Sequence, residues 1–292
     1  MDLHGFLERH PRVLLLTGAG CSTESGIPDY RDRSGAWKRA QPMHLQPFLK
    51  EPAMRRRYWA RSLIGWRRFQ RARPNAAHLA LARLEALGRV QQLVTQNVDR
   101  LHQQAGSRAV IDLHGRLDRV CCTSCDALLA REDLQGELLA RNPRWAELDA
   151  PAAPDGDADL PESDLRPFEV PDCRRCGGTL KPDVVFFGER VPPERVASAL
   201  QHLERADALL VVGSSLMVYS GYRFAQAAAH AGKPIAAVNL GRTRADELLA
   251  LKVERPCAEA LGCIDSLSQL RGAPAAAATS ARASPIAFST KA

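Results

Sequence analysis

The sequence predicts an α/β protein whose parallel sheet is interrupted by two insertions. Four short, continuous apolar runs are typical of strands buried on both faces: 12–17, 90–95, 208–213 and 234–239. Helical patterns lie between these runs, most clearly at 75–88, where Asn75 can cap the N-terminus and Gly88 can end the helix. Because strand and helix patterns alternate, we expect a parallel sheet with helices on its faces.

Composition places the chain among ordinary globular proteins. Its 292 residues are 45% hydrophobic and 25% charged, which excludes a disordered or fibrous chain. The net charge of +7 comes almost wholly from arginine without a long basic run, so we do not expect nucleic acid as a partner. No apolar stretch approaches the ~18 residues of a membrane span, and the first residues lack a secretory signal pattern. We therefore expect a cytoplasmic protein without membrane contact. We also expect a monomer.

Two stretches break the alternation and are predicted to be insertions. Residues 38–73 are rich in Arg and Trp at helical spacing and predict a small helical module. Residues 116–182 hold two CxxC pairs around an acidic segment rich in Pro and Ala. The sheet domain is then discontinuous, comprising 1–37, 74–115 and 183–265. The low-complexity stretch 272–292 has too little apolar content to pack, so we expect it to be disordered.

The paired CxxC motifs predict a structural zinc site, with one ion per chain. Four thiolates bind Zn²⁺ tetrahedrally and leave no open position for chemistry. The spacing favours Cys122, Cys125, Cys173 and Cys176 as ligands, although Cys121 could replace Cys122. The two pairs are too far apart for a compact ribbon, so the residues between them are predicted to form an excursion.

Polar and glycine-rich segments follow the predicted strands, where ligands bind in such sheets. The segment TGAGCSTESGIPDYRD, 17–32, could bring backbone amides to a pyrophosphate, or its glycines could simply connect strand to helix. In TQNVDRLH, 95–102, Gln96, Asn97 and Asp99 could line a site or cap the next helix. His114 is one histidine of 8, and a lone histidine is more often structural than catalytic.

Three further pieces join these motifs in one order: KPDVVFFGE at 181–189, VVGSSLMVYSGYRF at 211–224 and AVNLG at 237–241. With them the chain resembles the sirtuins, NAD-dependent protein deacylases, over about residues 8–265. The spellings GAGCSTESGIPDYR, RRRYWARSLIGWRRF and GSSLMVYSGYRF are similar to the class II branch of that family.

The resemblance implies a Rossmann-like domain that binds NAD in a cleft beneath the zinc-binding and helical modules. It assigns Gln96 and Asn97 to the nicotinamide ribose, Asp99 and Ile27 to the nicotinamide, and Cys257, by position only, to adenine. The remaining implied NAD contacts lie in three segments: Gly18, Ala19, Gly20, Glu24, Asp29, Tyr30 and Arg31; Gly213, Ser214 and Ser215; Asn239, Leu240 and Gly241.

For the chemistry, the resemblance implies that nicotinamide leaves as the acyl oxygen of a modified lysine attacks, with Asn97 and Asp99 orienting the reaction. Neutral His114 would then take a ribose hydroxyl proton. Val184, Val185, Phe186, Phe187 and Gly188 would contact the acyl-lysine. The substrate, an acyl-lysine protein or peptide, would add as a strand between 187–189 and 215–218.

Three alternatives and one question of specificity stay open from the sequence. The same NAD cleavage could transfer ADP-ribose to protein or serve a lipoamidase-like deacylase, and a catalytically silent zinc-bearing module is the rival of another class. Tyr58 and Arg61 stand one helical turn apart and are similar to a pair that holds acidic acyl groups in another sirtuin branch, so glutaryl-type substrates are expected to react at least as well as acetyl ones. Alternatively, Tyr58 packs inward on an arginine-rich helix.

Overall fold

The computed structural model describes residues 2–38, 42–160 and 165–269. The predicted disordered stretch at 272–292 lies outside these residues. The helices are α1 Leu3–Arg9, α2 Leu45–Lys50, α3 Pro52–Phe69, α4 Ala76–Ala86, α5 Leu101–Gln104, α6 Arg131–Arg141, α7 Pro193–Arg205, α8 Tyr219–His230, α9 Cys257–Leu261 and α10 Ile264–Gln269. The strands are β1 Val13–Thr17, β2 Val90–Thr95, β3 Val110–Asp112, β4 Gly115–Cys122, β5 Leu128–Ala130, β6 Ala152–Ala153, β7 Asp157–Ala158, β8 Leu180–Val184, β9 Ala208–Val212, β10 Ile235–Val238 and β11 Leu251–Val253.

A six-stranded sheet forms the centre, in the order β11–β10–β9–β1–β2–β3, and every neighbouring pair in it is parallel. The predicted Rossmann-like α/β fold is thus confirmed. Its central strands are the four predicted ones, and β1 and β9 are buried along their whole length because helices cover both faces. The edge strands β3 and β11 were not predicted, since each has only three, partly buried residues.

Helix α4 begins and ends where the sequence indicates. The Asn75 side chain accepts hydrogen bonds from the amides of Ala77 and His78, and the His78 side chain accepts the Asn75 amide, which completes a capping box. Gly88, with φ of +71°, follows the last turn. Leu81 and Leu84 are fully buried against the sheet.

The two insertions share one hydrophobic cluster. Phe48, Trp59 and Leu63 of the helical region pack with Leu138 and Phe168 of the region between the CxxC pairs. The excursion therefore contributes apolar residues of its own, which its acidic and alanine-rich composition did not suggest.

Backbone contacts bring the insertions still closer together. A Cβ on Gly65 of α3 would stand only 2.3 Å from the carbonyl oxygen of Gly156, so a glycine is needed at this crossing.

Within the described ranges, no helix is long and apolar enough to cross a membrane.

Candidate functional site

A cleft of about 800 Å³ lies between the carboxyl edge of the sheet and the two insertions. Most of the predicted site residues line it: Gly18, Ala19, Gly20, Asp29, Tyr30, Arg31, Tyr58, Arg61, Gln96, Asn97, His114, Val184, Val185, Phe186, Phe187, Gly188, Gly213, Ser214, Ser215, Asn239 and Leu240. The fold thus brings together segments that are more than 200 residues apart, because parallel strands end at one edge.

Five predicted NAD contacts do not line this cleft. Glu24 is exposed, Ile27 is buried, and the Cys257 thiol donates to the Gly20 carbonyl oxygen at 3.6 Å behind the glycine loop. A Cβ on Gly241 would stand 2.3 Å from the Arg33 carbonyl oxygen, and Asp99 faces Ser22.

The glycines after β1 and β9 pack against each other. A Cβ on Gly18 would lie 2.8 Å from the Ser214 Cβ, and a Cβ on Gly213, which has φ of +62°, would lie 2.2 Å from the Cys21 amide nitrogen. The Gly18 amide donates to the Val212 carbonyl oxygen, and the Gly20 amide donates to the Gly213 carbonyl oxygen. These two hydrogen bonds join the loop after β1 to the end of β9 and the residue that follows it. The glycines are therefore required for close backbone approach, and the same bare backbone forms the floor of the cleft.

A hydrogen-bonded network fixes the segment after β2. The Asn97 amide group donates to the Gly18 carbonyl oxygen at 3.1 Å and to the Ser22 hydroxyl at 3.0 Å, and Ser22 donates to the Asp99 carboxylate at 2.7 Å. Asp99 also accepts the Leu101 amide at 2.9 Å, so the capping role that the sequence left open is present. Burial raises the pKa of Asp99.

His114 has a partner at each ring nitrogen. Nδ1 lies 3.0 Å from the Gln96 carbonyl oxygen, and Nε2 lies 2.8 Å from the Ser220 hydroxyl oxygen. Because a carbonyl can only accept, Nδ1 carries the proton of the neutral ring and Nε2 keeps a lone pair. Burial, which outweighs the hydrogen bond to Gln96, lowers the pKa of His114 to about 4. The ring is therefore an uncharged base at neutral pH.

The loop after the first glycines folds over the cleft as a short hairpin. Arg31 pairs with Trp37 through the backbone, donates to the Gly35 carbonyl oxygen at 2.7 Å, and stacks with its guanidinium carbon 3.7 Å from the Trp37 ring centroid. Asp29 forms an ion pair with Lys38 at 2.5 Å. These contacts hold a guanidinium on the cleft wall, where it suits an anionic group of a ligand.

On the opposite wall, Tyr58 and Arg61 have partners that the sequence did not reveal. Tyr58 packs against Phe48, Trp59 and Phe186 with ring centroids 5.1–5.5 Å apart, as in the inward-packing alternative. Arg61 binds the Asp157 carboxylate through both Nε and Nη2, at 2.9–3.0 Å. Both side chains still line the cleft, so an acyl carboxylate would compete with Asp157 for the guanidinium.

Part of the backbone after β8 already pairs with another segment of the chain. Phe187 exchanges backbone hydrogen bonds with the stretch around His44, accepting the Leu45 amide at 2.9 Å and donating to Met43 at 3.3 Å. A substrate strand on this side would therefore pair with the backbone beyond Phe187. Gly188, with φ of +77°, lines the cleft next to it.

The four predicted cysteines converge on one point and fit a zinc ion. The sulfur atoms lie within 4.8 Å of one another, with Cys122 to Cys176 at 3.5 Å and Cys125 to Cys173 at 3.8 Å. A tetrahedron with Zn–S bonds of ~2.3 Å has edges of about 3.8 Å. The Ser124 amide donates to the Cys122 sulfur and lowers the pKa of that thiol to about 6, which favours the thiolate. Cys121 lies outside the group, so the four cysteines are placed to bind a structural zinc.

Three residues of the site were missed by sequence reasoning. Ser22 joins Asn97 to Asp99, His78 lies 3.4 Å from the Ser22 hydroxyl, and Ser220 holds His114. Ser22 lies inside the glycine motif, so its position carried a signal. In the sequence Ser220 looks like an ordinary serine near the start of a helix, and no motif or residue spacing links it to His114.

The fold and the site together define an α/β nucleotide-binding protein with a four-cysteine zinc module. The Sir2 family model matches residues 18–220. NAD-dependent protein deacetylase 2 of Bradyrhizobium diazoefficiens is 65% identical over 260 residues, covering 89% of this chain and 95% of that protein. NAD-dependent protein deacetylase of Xanthomonas campestris pv. campestris is 64% identical over 259 residues, covering 89% and 88%. This chain belongs to the Sir2 family.

Solved structures agree with that assignment. A complex of Sir2 with a p53 peptide and NAD+ has a TM-score of 0.72 and 30% identity, covering 92% of this chain and all of that one. A mutant Sir2 homologue in complex with ADP ribose has a TM-score of 0.73 and 31% identity, covering 94% of this chain and all of that one.

Proposed function

We propose that this chain is an NAD-dependent protein lysine deacylase that releases nicotinamide from NAD and transfers the acyl group from lysine to ADP-ribose. The observation that carries the proposal is His114, an uncharged imidazole whose Nε2 keeps a basic lone pair at the wall of the cleft. The activity named for the deacetylases at 64–65% identity supports it.

The cleft suits NAD as the co-substrate. Its floor is bare glycine backbone, where any side chain on Gly18 or Gly213 would collide with the neighbouring loop. The Arg31 guanidinium on one wall suits the diphosphate of NAD, and the Ser215 and Asn239 side chains supply polar groups for the rest of the NAD molecule. When bound, NAD supplies the glycosidic bond whose cleavage releases nicotinamide.

The residues of the chain divide the work by position. Asn97, held by Gly18 and Ser22, lines the cleft and orients the reacting ribose. Asp99 acts through Ser22, whose hydroxyl it accepts while also accepting the Leu101 amide. His114 accepts a proton at Nε2, a step that typically contributes about 10² to 10⁴ in rate. Val184, Val185 and Phe186 provide an apolar wall for the lysine stem and exclude water.

Mass spectrometry of the products tests the proposal. The protein is incubated with NAD and a panel of acetyl-, longer acyl- and glutaryl-lysine peptides. We expect deacylated peptide and O-acyl-ADP-ribose in equal amounts, with one nicotinamide for each. ADP-ribosylated protein without deacylated peptide would replace the proposal by ADP-ribosyl transfer, and the absence of both would support a silent binding module.

We further propose that residues 1–37, 74–115 and 183–265 form the NAD-binding domain, and that the protein works as a cytoplasmic monomer on acyl-lysine proteins or peptides. The four-cysteine site supports a reducing compartment, because zinc ligation requires free thiolates. All 8 cysteines lie within the described ranges, and there none of them is in a disulfide bond.

A further inference from the structure

His114 has no vacant nitrogen for the proton that it is proposed to take. Nδ1 donates to the Gln96 carbonyl oxygen, and the Nε2 lone pair accepts the Ser220 hydroxyl at 2.8 Å. A proton from the cleft must therefore either displace Ser220 from Nε2 or pass through its hydroxyl group. The structure distinguishes these two routes by how firmly Ser220 is held.

Ser220 lies in the first turn of α8, and that turn is tightly packed. A Cβ on the next residue, Gly221, would stand 2.5 Å from the Gln96 side-chain oxygen. Gln96 also provides the carbonyl that fixes Nδ1 of His114 and donates to Ser214 at 2.7 Å. His114, Gln96 and the start of α8 thus pack closely together, and this packing places the Ser220 hydroxyl against Nε2.

The Ser220 side chain is also placed to meet a ligand. It is only 9% exposed, and it lines the same cleft as His114. Its hydrogen points at Nε2, so its oxygen lone pairs are left to accept a donor from the cleft side. A hydroxyl that donates to a base and accepts from a substrate is the arrangement that passes a proton.

We propose that Ser220 relays the proton between a ribose hydroxyl of NAD and Nε2 of His114. Ser220 gives its own hydrogen to Nε2 as its oxygen receives the hydrogen of the ribose hydroxyl. The serine ends as a neutral hydroxyl, the imidazole becomes imidazolium, and the ribose oxygen keeps the electron pair that bonds to the acyl carbon. This inference rests on the proposed deacylase function and adds a second residue to its proton transfer.

The first test uses the protein without ligand. With ¹⁵N-labelled histidine, NMR follows the His114 ring nitrogens in the wild type, in Ser220→Ala and in Ser220→Thr. Because a donor to the lone pair favours the neutral ring, Ser220→Ala should raise the His114 pKa and shift the Nε2 resonance, and Ser220→Thr should keep both near wild type. Burial and the nearby Arg195 and Arg223 guanidinium groups, which also lower this pKa, are unchanged in the variants. Identical His114 titrations in all three proteins would overturn the proposal.

The second test follows the reaction. Ser220→Ala should slow formation of deacylated peptide by about tenfold to a hundredfold, a part of the general-base contribution, with both KM values within a factor of about two. Ser220→Thr should restore most of the rate. The rate is also measured in mixtures of H₂O and D₂O. A plot of the wild-type rate against the deuterium fraction should be curved, because two protons move in one step. The same plot for Ser220→Ala should be a straight line, because only one proton moves.

The outcomes separate this proposal from the function on which it rests. Nicotinamide exchange into NAD precedes the proton step, so it should persist in Ser220→Ala with a folded protein and an acylated peptide. Wild-type protein that neither exchanges nicotinamide nor deacylates would overturn the proposed function and the relay together. If the wild type is active and Ser220→Ala deacylates the peptide as fast or faster, the relay alone is overturned. The Ser220 hydroxyl would then only compete with the ribose hydroxyl for Nε2.

Discussion

Asp157 is the residue whose replacement tells most about acyl selection, because its carboxylate fills the fork of Arg61. Asp157→Asn removes that negative charge and leaves the guanidinium available, so turnover of a glutaryl peptide relative to an acetyl peptide should rise roughly tenfold, as expected for one charged hydrogen bond. The ratio of kcat/KM values for the two peptides measures it.

The control for this prediction is the double variant with Arg61→Met, which should remove the gain. Arg61→Met alone should lower turnover of the carboxylated substrate selectively. Equal losses on both peptides would mean that Arg61 serves the packing of residues 157–158 against α3, and the acidic-acyl proposal would be abandoned.

At the scale of elements, the four-cysteine site joins the end of β4 and the turn after it to the turn that precedes β8. Structural zinc contributes about 10 to 16 kcal/mol of apparent binding free energy in small zinc-binding domains. Cys173→Ser removes a buried ligand, so it should abolish stoichiometric zinc, lower the thermal midpoint and reduce activity indirectly through the shared cluster around Trp59. Elemental analysis and thermal unfolding measure these effects.

Cys121→Ser is the matched control for the zinc prediction. Cys121 neighbours a ligand in sequence but lies outside the four-sulfur group, so its replacement should leave one zinc per chain. Wild-type protein without zinc, or equal zinc loss in both serine variants, would contradict the assignment.

Over the whole molecule, three buried histidines make stability depend on pH. Burial lowers the pKa of His78 and His114 to about 4 and that of His102 to about 3. The unfolded chain binds these protons near pH 6.5, so stability is fully present above that value and is lost as pH falls toward 4. Burial raises the pKa of Asp99 and Asp157, which partly offsets the loss.

The free energy of unfolding between pH 7.5 and 5 tests this account. Each histidine should contribute about 1.4 kcal/mol per pH unit to the slope below its unfolded pKa. His114→Asn removes one of the three histidines, the one that lines the cleft, so the slope of this variant should be smaller than that of the wild type by about that amount. Equal slopes in the two proteins would show that folding does not lower the pKa of His114.

The fold was predictable from the sequence wherever a local pattern of residues determines the structure. Strands such as β1 and β9 were predicted because burial on both faces demands a continuous apolar run, whereas β3 and β11 lie at the edges of the sheet and carry no such run. The zinc cysteines were predictable because each CxxC is a local turn.

The parts of the site that the sequence could not give are pairings between distant segments. Arg61 and Asp157 are 96 residues apart, and His114 and Ser220 are 106 apart. No spacing rule links such residues, so only the folded chain shows that Arg61 already has a carboxylate partner and that Nε2 of His114 already has a donor.

The comparison of wild type with His114→Ala tests the central claim most directly. Two rates are measured in parallel with NAD and an acetyl-lysine peptide: exchange of labelled nicotinamide into NAD, and formation of deacylated peptide. In the proposed mechanism His114 acts as a base after nicotinamide has left, so the variant should keep exchange and lose product formation by about 10² to 10⁴. Product formation at the wild-type rate, in a folded variant, would contradict the assignment of His114 as the base.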